Sequence, residues 1–238
     1  MPTPIAIISC EVFEIELKQL LTTRPHVKRL DLIDWGLHNE PKKMPAALQA
    51  KVAEVESDPA VEAIVLGYGV CSRGTEGIVA GRCPLVIPRA HDCITVLLGS
   101  KERYAEYVAS NPGTYWYSPG WNKHHLAPGK GRYDTLRSQY VEKFGEDDAD
   151  YLMEQEQAWF SAYSRATYVH LTIGATDADR AYTRECADFL GWQYDEQRGD
   201  PKLLQDLLDG PWDADRFLVV PPGQQVRFTA DERIVEAV

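Results

Sequence analysis

The sequence predicts an α/β protein built of two Rossmann-like βαβαβ halves with mainly parallel sheets and a helical, aromatic insertion between them. Two observations predict it. Short apolar runs of strand length alternate with stretches of helical periodicity, and the strand and helix order of the first 67 residues returns in the last third of the chain. The boundaries this implies are 1–104 for the first half, 105–165 for the connector and 166–238 for the second half.

Each element has its own justification. Residues 5–9, Ile-Ala-Ile-Ile-Ser, read as a buried strand, and Phe13, Leu17, Leu20 and Leu21 fall on one face of a helix over about 12–22. A strand over 27–33, a helix carrying Leu48, Val52 and Val55, and a strand over 63–66 complete the first βαβαβ unit. The glycine-rich turn 67–74 leads to a strand at 84–88 and a helical segment over 91–103. Residues 105–165 turn aromatic and turn-rich, Asn111-Pro-Gly-Thr-Tyr-Trp-Tyr-Ser-Pro-Gly-Trp121, then polar and helical. Strands at 168–173, 193–197 and 217–220, with helices at 178–190 and 201–209, form the second half.

Composition excludes several functions. A formal charge of -11 and a pI near 5.0 offer no basic face for nucleic acid or anionic membrane. No segment reaches the roughly 20 apolar residues of a membrane span, and the start lacks a secretion signal, so the expected location is the cytoplasm. The 5 cysteines are therefore expected to be reduced.

Three of them are placed for chemistry. Cys10, Cys71 and Cys93 each follow an apolar strand, and parallel strands end along one sheet edge, where such folds bind ligands. Three thiolates there suit zinc or an iron-sulfur cluster, with His91 as a fourth ligand and Asp92 as a base or a partner to the ligands. The plain alternative is three buried hydrophobes; a third reading pairs one nucleophilic cysteine with His91. Cys83 precedes its strand and Cys186 lies on a core-facing helical stripe with Tyr182 and Phe189, so both are read as structural.

Gly67, Tyr68 and Gly69 form a turn whose backbone can approach a bound group, although the spacing is neither a P-loop nor a dinucleotide fingerprint. Arg89 offers a planar fork for a carboxylate or phosphate. Trp116, in the run Tyr115 to Tyr117, supplies a stacking wall for a planar cofactor or a quaternary ammonium group. His124 and His125 are expected at the surface, and His170 is expected to be a satisfied core histidine.

The segments Gly67-Tyr-Gly-Val-Cys71, Pro88-Arg-Ala-His-Asp-Cys93 and Gly113-Thr-Tyr-Trp-Tyr-Ser-Pro-Gly-Trp121 carry a resemblance. The chain resembles the prokaryotic family catalogued as domain of unknown function 1638, over about residues 5–225. That resemblance implies a cysteine at the end of the first strand, matched by Cys10, with a glutamate downstream, matched by Glu16. It also implies the company of corrinoid-dependent methyltransferase systems acting on methylated amines. The expectation is a zinc-dependent, methyltransferase-type enzyme taking a small-molecule substrate, its partner a corrinoid protein or methyltransferase. The alternatives are a non-enzymatic metal or corrinoid accessory protein and an iron-sulfur protein.

Overall fold

The fold is that of a computed structural model, which describes residues 2–71 and 73–238. β1 (Ile5–Cys10) is buried along its whole length, as an unbroken apolar run must be when both faces of a strand are covered. A 3₁₀ turn over Glu11–Phe13 feeds α1 (Glu14–Leu21), which turns Leu17 and Leu20 inward. β2 (Val27–Ile33), α2 (Met44–Glu56) and β3 (Ala63–Gly67) complete a parallel βαβαβ unit in the order β2-β1-β3. β4 (Leu85–Pro88) extends the sheet in the same sense.

The helical segment after β4 is two helices, α3 (Cys93–Leu98) and α4 (Lys101–Ser110). Gly99 separates them at φ 82, a left-handed conformation that stops the first helix, and the Ser100 side chain caps the second.

β5 (Thr114–Tyr117) opens a second sheet, and α5 (Pro119–His124), α6 (Lys130–Phe144) and α7 (Glu146–Gln157) follow it. β6 (Arg165–His170), α8 (Asp177–Leu190) and β7 (Gln193–Arg198) complete a parallel sheet in the order β5-β6-β7. α9 (Lys202–Asp209) then buries Leu203, Leu204, Leu207 and Leu208. β8 (Phe217–Val220) returns to the first sheet, and β9 (Val226–Phe228) pairs with β10 (Val235–Ala237) as a ribbon.

The architecture is mixed α/β and mostly parallel, Rossmann-like as expected. Its internal division departs from the three expected segments. β5 falls inside the expected connector yet pairs with β6 from Thr114 to Tyr117. β8, expected as the third strand of the second half, pairs antiparallel with β4 instead, making the first sheet β2-β1-β3-β4-β8. Its apolar sequence closes the open edge of β4, so the second sheet is inserted between two neighbouring strands of the first. β6 also ends at His170 rather than 173, because Thr172 takes φ 64 and Gly174 φ 72, neither compatible with an extended strand.

Among the described residues no helix is long and apolar enough to cross a membrane. Cys83 and Cys186 are both buried: Cys83 donates to the Val61 carbonyl at 3.3 Å, and Cys186 packs with Tyr117 and Tyr168 in the smaller core.

Candidate functional site: a thiol-lined cleft at the strand ends

The turn after β3 is held against the turn after β4. The Val70 N–H donates to the Ala90 carbonyl at 2.9 Å and the Cys71 N–H to the His91 carbonyl at 3.0 Å, prolonging the parallel ladder past the strands. Gly69 permits this approach, since a Cβ there would stand 2.6 Å from the backbone nitrogen of Asp92. Cys71 itself is left-handed at φ 44, a conformation disfavoured for a side chain with a Cβ.

Cys10, Cys71 and Cys93 are thereby brought within electrostatic reach of one another. Burial pushes the Cys71 thiol up to about 12, with Asp92 and Cys10 adding to it against the backbone amides of Gly69 and Cys93. Burial likewise raises Cys10 to about 12. Cys93 is raised well above its ordinary value by burial and then by Cys71, Asp92 and Cys10. Tyr68 is fully buried, and its hydroxyl is raised by burial with smaller contributions from Cys10 and Cys71. The three thiols are thus a neutral group at neutral pH.

Cys71, His91, Asp92 and Cys93 line a cleft of about 390 Å3. Tyr115, Trp116, Trp121 and Tyr163 from the second unit line it as well, together with His38. Trp116 lies 4.8 Å from the Tyr107 ring and 6.3 Å from Tyr104, ring centre to ring centre. Behind the wall, His125 packs 3.8 Å from Trp35 and 4.7 Å from Trp121, and its Nε2 faces the Tyr115 hydroxyl at 3.3 Å. Burial, helped by Arg132 and His38, lowers His125 to about 4, so it is neutral.

Several expected roles change here. Asp92 is the N-cap of α3: its Oδ1 accepts from the Thr95 N–H at 2.8 Å and the Thr95 hydroxyl at 3.0 Å, which commits that oxygen to the helix. Arg89 lies away from the cleft. Its guanidinium donates to the carbonyls of Ala214 at 2.8 Å and Arg233 at 2.6 Å, and to that of Val235, which binds the carboxyl-terminal ribbon rather than a ligand. Gly67 and Gly69 serve close packing, Gly67 against Ser9 and Gly69 against Asp92, and Tyr68 is buried within electrostatic reach of Cys10 and Cys71.

The expected metal ligands Cys10, Cys71, Cys93 and His91 are not arrayed about a common point. Among the described residues no three His, Cys, Asp or Glu side chains are grouped to hold a metal ion. The thiols share a neighbourhood rather than a coordination shell, and His91 is an exposed side chain whose ring lies 6.5 Å from that of Tyr104.

His124 and His125, expected at the surface, are both partly buried. His124 Nδ1 stands 3.3 Å from Glu11 and Nε2 2.6 Å from Glu14, while Lys123 reaches Glu14 at 2.6 Å. Lys123 first, then Lys18 and His124, hold the Glu14 carboxyl down at about 2. His170 is satisfied as expected, with Glu196 at Nε2 and the Thr172 N–H at Nδ1. Trp35 and His38 lie just past the end of β2; the strand-end rule that selected the cysteines selects them too, and only the absence of a thiol hid them.

The family model described as "Protein of unknown function (DUF1638)" matches residues 32–208, which include two of the three thiols, the aromatic wall and the second sheet. No curated protein and no solved structure matches the chain.

Proposed function

We propose, on the premise that the chain belongs to the DUF1638 family of proteins of unknown function, that the cleft is a small-molecule site whose thiols serve one-carbon transfer from a methylated amine. Zinc is the cation proposed for those thiols, although as they stand they form no coordination shell for it. The observation that carries this reading is the meeting of Cys71 and Cys93 in a cleft walled by aromatic rings, with Cys10 buried within electrostatic reach of both.

Zinc binding requires the thiols to lose their protons and turn toward one another, so affinity should rise with pH. The π faces of Trp116 and Trp121 suit the positive charge of a quaternary ammonium group. A corrinoid protein, the partner that the family resemblance implies, is the methyl acceptor of this reading. Neither Asp92 nor Arg89 is given a catalytic role.

The test is metal content of anaerobically purified protein beside Cys10→Ser, Cys71→Ser and Cys93→Ser, together with tryptophan fluorescence on adding trimethylamine. One zinc per chain, lost in each variant, and a saturable quench are expected. Zinc absent even after reconstitution removes the metal from the reading. A flat fluorescence titration removes the amine.

A further inference from the structure

The seam where α1 meets the second sheet unit holds polar groups that nothing satisfies. Glu16 on α1 is fully buried, and neither of its carboxyl oxygens has a hydrogen-bond partner. The Tyr168 hydroxyl on β6 and the side-chain oxygen of Asn122 on α5 are buried and unpartnered as well. These elements form one contact, since α5 packs on α1 and on α8, and α8 packs on β6. Asn122 Nδ2 faces Thr183 at 3.3 Å and the Asp179 carbonyl at 3.4 Å, both on α8.

An ionised carboxylate cannot persist in such a place without a partner. The charged groups around the seam are all engaged elsewhere. On α8, Asp179 accepts from the Thr176 hydroxyl at 2.6 Å and Arg180 donates to Glu196 at 2.8 Å. On β6, His170 shares Glu196 with Arg180. On α5, Lys123 and His124 both bind Glu14, two residues before Glu16 on α1. Burial, with Asp179 adding to it, raises the Glu16 carboxyl to about 7.

The seam is mechanically joined to the cleft. Asn122 is adjacent in sequence to Trp121, which lines the cleft and packs 5.3 Å from Trp35, ring centre to ring centre. On the other side, Gly120 sits so close to Val12 that a Cβ would stand 1.8 Å from the Val12 carbonyl oxygen. Val12 lies two residues past Cys10. One short helix therefore spans from the buried carboxyl to the thiol cleft.

We propose that this seam is a proton-controlled latch, held shut while Glu16 is neutral and released when Glu16 gives its proton to solvent, so that α5 lifts and the cleft opens at its Trp121 wall. The latch goes beyond the thiol chemistry proposed above and does not depend on it. Because the open form ionises Glu16 at an ordinary carboxylate pH and the closed form only near 7, the opening equilibrium gains up to about tenfold per pH unit between those values and levels off above about 7.

Amide hydrogen exchange of α1 and α5, followed from about pH 6 to about pH 8 in the unmodified protein and in Glu16→Gln, reads the opening directly. Relative to the variant, the unmodified protein should open about tenfold more at the upper pH. Superimposed profiles overturn the latch. The carboxyl carbon resonance of Glu16, titrated in the unmodified protein, supplies a second readout that needs no variant. A midpoint near 7 supports the latch, and one in the ordinary carboxylate range, about 4.3, overturns it.

Discussion

Cys71 and Gly69 show how much of the cleft depends on backbone geometry at single positions. The thiol of Cys71 reaches its neighbours because its backbone is left-handed and because nothing but a hydrogen stands between Gly69 and the backbone of Asp92. Backbone cannot move aside as a flexible side chain can, so Gly69→Ala should cost about 2–4 kcal/mol. Urea denaturation measures the loss, and Cys71 should become more reactive toward thiol reagents as the two turns separate. The sequence placed Cys10, Cys71 and Cys93 at one edge from strand periodicity alone. It read Asp92 as a base or a partner to the ligands and missed its place as the N-cap of α3, where Thr95 takes one of its two carboxyl oxygens. Arg89 is the harder case, because the carbonyls that claim it belong to residues more than a hundred positions away.

At the scale of elements, α5 is the piece that the whole site leans on, although it spans only Pro119–His124. Its Gly120 meets the Val12 backbone, its Trp121 walls the cleft, and its Lys123 and His124 grip Glu14. Gly120→Ala should therefore detach the helix from the end of β1, costing about 2–4 kcal/mol and raising hydrogen exchange in α5 before that in the first sheet. Strands and helices of the first unit were legible because their periodicities are clean and their ends are marked by Gly, Ser or Asp. β5 was hidden although Thr114-Tyr-Trp-Tyr has strong strand propensity, since Pro112-Gly113 and Pro119-Gly120 on either side read as a loop. The partner of β8 was not legible at all. An apolar strand carries its own burial in its sequence but not the identity of the edge that receives it.

For the whole molecule, two glutamates on one helix set opposite limits of pH. Glu14, held near 2 against an ordinary 4.5, stabilises the fold above about pH 4.5, and that contribution is lost as pH falls toward 2. Its ion pairs are near the surface, so the effect is about 1 kcal/mol, and Glu14→Gln should flatten the acid limb of a stability profile by that amount in low salt. Glu16, raised to about 7, acts in the reverse direction: stability falls as pH rises from about 4.5 and the loss is complete above about 7. The fold is therefore most secure in mild acid, where both contributions are present. A different consequence follows from the return of β8 to β4. During synthesis β4 emerges early, with the apolar edge of Leu85–Pro88 unpaired, while its neighbour lies more than 120 residues downstream, in Phe217–Val220. The nascent chain must carry that adhesive edge through the making of the entire second sheet. Chaperone demand should thus be concentrated in the interval between the exit of β4 from the ribosome and the exit of β8.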